Sequence, residues 1–320
     1  MGNRNPTGPS RWKQLLLGAA ALAGLATGIL NAPAIRAQDS TDWQARAGGK
    51  MAFDVASIKP SKGAFVPSNF PLDPSDDYGA TNGRLAADDT LTDYVEFAYK
   101  VWGNEVQNRE FSHLAKWVDT DRYTIEARTA TNNPTKDQMR IMMQALLADR
   151  FQLRAHFETR EVPVFELRLA KPGKWGPNLI PHADGPPCDK LGPSPIKDVP
   201  AFHFACHTFG PFVDQGTTLI VGSRDVSMDW LAGVLSEFPA SLGLGRPLVD
   251  KTGLTGRFDF TLEFARQPQT RAGSDSPAAS DPTGPTTLEA LREQLGLKLE
   301  SAKASIPILV IDAVERPSEN

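Results

Sequence analysis

Two periods of apolar residues alternate along the chain and predict its elements. Stretches of period two mark strands at Phe53 to Ile58, Arg84 to Ala87, Arg122 to Ala127, Thr218 to Gly222 and Arg257 to Glu263. Helical spacing appears in TLTDYVEFAYKV and VSMDWLAGVLSEF, which open amphipathic helices at Asp93-Tyr94-Val95 and Asp229-Trp230-Leu231. Thr135 and Gln138 form a capping box, each side chain satisfying a backbone N–H of the other. Met139, Met142, Met143, Leu146 and Arg150 then follow at helical spacing. Another helix starts near Thr287 and carries Leu288, Leu291 and Leu295. After Arg150 the pattern changes to alternation through Phe151, Leu153 and Ala155. It reads as turning at the polar run Glu158 to Glu161 and returning from Val162 to Ala170. Corresponding strands are expected at Leu297 to Ser301 and Ile306 to Val314.

The elements repeat. Residues 144–169 align with 289–313 through Ala145-Leu146 with Ala290-Leu291, Leu153 with Leu297, and Val162-Pro163-Val164 with Ile306-Pro307-Ile308. The expected fold class is α+β, with two similar β-α-β-α-β-β halves at 82–171 and 216–316. Each half is small for a self-sufficient core, so packing as one body is favoured over two separate beads. Residues 38–81 supply an N-terminal strand and loop. A Pro/Gly-rich linker, 172–215, reads as an ordered surface excursion. Residues 266–286 have no apolar side chain larger than alanine or proline and read as a disordered insertion in the second half, and 317–320 form a tail.

The N-terminus changes the picture of compartment. Arg4, Arg11 and Lys13 precede an apolar run from Leu15 to Leu30, and Ala37-Gln38 offers a small residue for cleavage. Residues 1–37 therefore read as a signal peptide, with a periplasmic or secreted destination. The rival reading is an uncleaved anchor, although the run is short for a span of about 20 residues. No Arg-Arg pair marks a route for folded cargo. Removing residues 1–37 takes away four basic residues and no acid, moving the formal net charge from −4 to −8. A body that acidic is a poor partner for phosphate backbones, so nucleic acid is set aside. Membrane contact is expected only through an uncleaved N-terminal segment.

Candidate chemistry is sparse. Cys188 and Cys206 are the only cysteines, and a disulfide is the default in an oxidising compartment. A metal site built with His182, His203 and His207 is the alternative, but no C-x2-C or H-x3-H spacing supports it. No metal and no cofactor is expected. His156 falls with Arg154 and Glu158 on the polar face of its strand, and His113 sits beside Phe111 and Trp117 without an evident partner. The acidic run Asp73 to Gly79 resembles a calcium loop but has Arg84 where a bidentate Glu is needed. Thr252-Gly253-Leu254-Thr255-Gly256 leads into a strand, which suits a tight hairpin turn better than a phosphate loop. G-x-S-x-G and H-E-x-x-H are absent. Catalytic residues stay unknown. Asp93, Asp119, Asp121 and Asp250 are candidates only because they flank strands or helices.

Several stretches resemble an uncharacterised family of exported proteins, expanded in soil bacteria of the acidobacterial kind. They are Phe53 to Pro60, Leu146-Leu147-Ala148-Asp149-Arg150-Phe151, Val249 to Gly256 with Phe258-Asp259-Phe260, and Val310-Ile311-Asp312 with Glu315 to Asn320. The resemblance implies export and a shared scaffold, and it carries over no catalytic residue. Similar domains fused to membrane sensor peptidases imply a sensing role by analogy. The leading expectation is a non-enzymatic module that binds an envelope or extracellular ligand in a groove between the halves. An extracellular hydrolase using carboxylates and a structural envelope protein are the alternatives.

Overall fold

The computed structural model describes residues 42–75, 79–184, 206–207, 218–237, 245–265 and 284–317, together with Gly2, Cys188, Phe209 and 213–214. Apart from Gly2 the expected signal peptide lies outside the described residues, as does most of the expected insertion.

Among the described residues the strands form three sheets in a mixed α+β body. In the first, β1 (Val55–Pro60) and β2 (Arg84–Thr90) flank β3 (Arg122–Arg128), all antiparallel. Alternation buries Leu85, Tyr123, Ile125 and Ala127 on one face. Onto that face pack α2 (Leu91–Tyr99) and α5 (Lys136–Arg150), through Tyr94, Phe97, Met139, Met142 and Met143. Thr135 and Gln138 make the expected capping box of α5. The short helices α1 (Asp42–Arg46), α3 (Glu105–Phe111) and α4 (Trp117–Thr120) were not legible, being too brief to show a period.

The second sheet runs β5 (Leu179–Pro181), β9 (Phe258–Ala265), β7 (Thr218–Val226), β6 (Val213–Asp214). Helices α6 (Met228–Glu237) and α7 (Thr287–Gln294) cover it, and Trp230, Leu231, Leu235, Phe260, Phe264 and Leu291 form its core. Both edge strands come from the stretch read as a linker. Leu179 is fully inside the core, so this part is more than a surface excursion. At the end of the stretch read as an insertion, Pro285 accepts a hydrogen bond from the Ala265 N–H (2.7 Å), and Thr286 caps α7.

The third sheet corrects the expected architecture. Arg154–Leu169 is one continuous strand, β4, and Leu297–Ala313 is another, β10. They pair antiparallel from Leu169↔Leu297 to Arg154↔Ala313, and β8 (Leu248–Asp250) adds to β4 in parallel. No turn occurs at Glu158 to Glu161, which face Ile308 to Ser305 in mid-ladder. That run is polar because it crosses open ground between two cores, not because the chain reverses there. Phe157, Leu309 and Ile311 pack in the first core, whereas Leu167, Leu297 and Leu299 pack in the second. At about 3.4 Å per residue the ribbon is roughly 50 Å long, enough to reach both. Pro163 and Pro307 are tolerated because this two-stranded stretch has free edges.

The glycine turn needs a second correction. Gly253 and Gly256 do take positive φ, 72° and 108°. The strands on either side, β8 and β9, lie in different sheets, so the segment is a crossover and not a hairpin.

Candidate functional site

The two cores meet along α2, α6 and the ribbon, and two hollows open at that junction. The larger, about 330 Å³, is walled by Trp43, Tyr99, Trp102 and Phe157, with Lys100, Asn104 and Asp229 as polar groups. Elements of both cores contribute: the end of α2, the start of α3, α6, β8 and the middle of β10. Gly233 of α6 is needed here. A Cβ on it would lie 2.2 Å from the Trp102 ring, so glycine lets the indole approach the helix closely. Trp102 also meets Trp230 edge to face at 6.4 Å. The floor is fixed by Gln107, whose amide donates to Leu309 O (2.8 Å) and accepts from Leu309 N–H (3.1 Å), tying α3 to β10. Lys100 closes α2 in the left-handed conformation (φ 58°) and lies 5.9 Å above the Trp43 ring.

The smaller hollow, about 290 Å³, is acidic. Asp73, Asp89, Asp93, Glu96 and Glu237 line it beside Phe65. Glu96 Oε1 and Glu237 Cγ come within 3.1 and 3.6 Å of the point where a Cβ would stand on Gly103, so α2 and α6 bring two carboxylate side chains together. Burial, then Glu237 and Asp93, push the Glu96 carboxyl well above the carboxylate range. Burial, then Asp73 and Asp93, push Glu237 up to about 7. Burial, then Asp93 and Asp88, raise Asp89 to about 6 against the lowering effect of Arg122. Groups poised near neutrality in a hollow can hold or pass a proton.

Of the four candidate acids, only Asp93 lines this acidic hollow, and it also completes the capping box of α2 with Thr90. Asp119 lines a separate hollow beside α3 and α4. Asp121 is ion-paired with Arg316 at 2.6 Å, and hydrogen bonding from that guanidinium lowers its pKa. Asp250 accepts the Thr252 N–H at 2.8 Å, an Asx turn that starts the crossover. Glu96 and Glu237 were missed. Both gave a signal: Glu96 stands between the buried Val95 and Phe97, and Glu237 puts a negative charge at the unfavourable end of its helix.

The remaining features take structural roles. Asp73, from the calcium-like run, receives the buried Lys136 Nζ at 2.5 Å and the Ser75 hydroxyl at 2.5 Å. The buried Arg140 braces the same loop through Asp73 O (3.1 Å) and Ser75 O, so the loop is pinned to α5. Residues 76–78 of that run lie outside the described residues. His156 stands half exposed on the outer face of β4, as its alternation implies. It lies 2.9 Å from Asp312 and 3.3 Å from Glu158, whose hydrogen bonds raise its pKa. His113 is exposed. Cys188 and Cys206 are joined in a disulfide, with Cα atoms 5.6 Å apart. Of the histidines set against it, His182 and His207 lie beside the bridge, and His203 is outside the described residues. Among those residues no helix is long and apolar enough to cross a membrane.

The architecture is thus that of a two-cored α+β body with hollows at its internal junction. The chain belongs to the family described as protein of unknown function DUF3738, which matches residues 92–314 and so takes in the second core and most of the first, without β1 and β2. No curated protein and no solved structure is significantly similar to it.

Proposed function

We propose that this chain is an exported binding or sensing module whose ligand sits in the aromatic groove between the two cores. The observation that carries the reading is the wall of Trp43, Tyr99, Trp102 and Phe157, interrupted by a few polar groups, at a junction both cores help to build. Aromatic faces flanked by an amide, an ammonium and a carboxylate suit a sugar or a short peptide of the cell envelope. Export rests on the N-terminal pattern and is favoured by the disulfide. The soil-bacterial, acidobacterial kinship read from the sequence belongs to the same proposal.

Internal duplication belongs to it as well. It is supported by the order β2-α2-β3-α5-β4, which recurs as β7-α6-β9-α7-β10, with α7 in the place of α5 and β10 in that of β4. The capping boxes of Thr135 with Gln138 and Thr286 with Glu289 occupy matching positions. A groove on the line between two copies is where a ligand-binding site would arise.

The test is a melting-shift screen of the purified chain against envelope glycans and peptides, followed by tryptophan fluorescence titration of any hit. Trp102→Ala should abolish the response. Loss of the reading follows if no compound shifts the melt, or if a hit binds Trp102→Ala as tightly as the parent.

A second reading, a hydrolase, is favoured by one observation: Glu96 and Glu237 share a hollow with their proton affinities raised. Hydrolysis of envelope polymers that disappears in both Glu96→Gln and Glu237→Gln would support it. Activity surviving in both variants would end it.

A further inference from the structure

Cys188 and Cys206 stand among side chains that a disulfide does not use. His182 Nε2 lies 3.7 Å from Cys188 Sγ, and Asp225 Oδ2 lies 3.7 Å from the same sulfur. The donor atoms of His182, Cys188 and Cys206 all fall within 4.8 Å of one another, as do those of Cys188, His207 and Asp225. A disulfide sulfur has no hydrogen to give, so these approaches contribute little while the bridge is closed.

The surroundings are ordered for a ligand. His182 Nδ1 is 2.7 Å from Asp259 Oδ1, which fixes the tautomer carrying hydrogen on Nδ1 and leaves the Nε2 lone pair aimed at the sulfur. Asp259 is itself held by Arg224 Nε (3.2 Å) and by the Asp225 N–H (2.9 Å). Asp225 reaches the bridge because β7 is irregular between Ser223 and Val226, where Asp225 takes a φ of 51°. Its carboxylate is steadied by His207 Nε2 at 2.6 Å and Arg257 Nε at 3.0 Å. A carboxylate that holds one nitrogen of an imidazole and leaves the other open is the arrangement that orients histidine toward zinc.

We propose that Cys188 and Cys206, once a dithiol has opened their bridge and their sulfurs have parted, hold a zinc ion together with His182, and that Asp225, which meets Cys188 but does not lie within 4.8 Å of all three of these donors, is drawn in as the fourth ligand. Donors on a tetrahedral zinc bound at about 2.0–2.3 Å stand roughly 3.3–3.8 Å apart, the range in which Cys188 already meets His182 and Asp225. Opening the bridge takes two electrons and two protons from the dithiol, which leaves as its own disulfide. Zinc binding then releases the two thiol protons to water. The oxidised chain is the metal-free state and the reduced chain the metal-holding one, so the cluster reports the redox condition of its compartment.

The purified full chain, oxidised or reduced with dithiothreitol and freed of it without air, is titrated with zinc against a chromophoric chelator and separately with cobalt(II). One zinc is expected per reduced chain and none per oxidised chain, with a thiolate-to-cobalt charge-transfer band in the reduced form alone. Asp259→Asn, which leaves all four ligands in place, should weaken zinc binding about 10- to 100-fold. His182→Gln should weaken it at least as much. Equal affinity in the two redox states, absence of the thiolate band, or unchanged affinity in His182→Gln overturns the proposal. Near-ultraviolet circular dichroism follows the fold throughout. A reduced chain that loses its tertiary signal and does not regain it with zinc also counts against the site.

Discussion

Replacing Glu237 by glutamine tests the acidic hollow through stability alone. In the folded protein, burial and the charges of Asp73 and Asp93 lift this carboxyl from 4.5 to about 7. Between those values the native state keeps a proton that the unfolded chain has released. The free energy of unfolding therefore falls as pH rises from 4.5 to about 7, and then levels. At about 1.4 kcal/mol for each tenfold change in proton affinity, the penalty reaches roughly 3 kcal/mol above that range. Glu237→Gln keeps the shape and removes the charge. Glu96 also loses its strongest like-charged neighbour, so the two effects add. Urea unfolding of parent and variant should coincide near about pH 4 and differ by at least about 3 kcal/mol near about pH 8, the variant being more stable. A difference that does not change with pH, or a variant less stable at the alkaline end, would refute the account of the hollow.

Asp73→Ala takes the 2.5 Å carboxylate contact from the buried ammonium of Lys136 and should cost about 1–3 kcal/mol by denaturant unfolding; adding Lys136→Met should recover part of that loss. Gly233→Ala drives a methyl into the Trp102 ring, so a loss of about 1–3 kcal/mol and an altered tryptophan emission are expected. Replacing both Cys188 and Cys206 by serine should lower stability by about 3 kcal/mol, from the chain entropy of a loop whose ends are 18 residues apart. Asp312→Asn removes the stronger of the two hydrogen bonds on His156, and its NMR titration midpoint should fall toward that of an isolated histidine.

The fold was legible wherever a local rule determined it. Thr135 with Gln138 fixed the start of α5, and alternation placed β2, β3, β7 and β9. The ribbon was misread because Glu158 to Glu161 carries turn-like polarity, while a strand exposed between two cores carries the same polarity. Pairing with β10 is a long-range choice that no local window records. The acidic hollow was hidden for a related reason. Glu96 and Glu237 belong to helices far apart in the sequence, and only packing brings them to Gly103. Their odd positions were visible, but their meeting was not. The cysteine pair was the exception, since two cysteines allow a single intramolecular pairing.

The shared ribbon has a consequence for how the chain is made. β4 lends its far end to the second core, yet its partner β10 follows all the other elements of that core in sequence. During synthesis the first half must wait with a long, bare strand edge until β10 arrives. Such an edge is a template for pairing with a neighbouring molecule. Contacts this distant along the chain also slow closure. The run Glu158-Thr159-Arg160-Glu161, useless as a turn, then acts as a guard: its charges and the nearby Pro163 keep the waiting strand from recruiting a stranger.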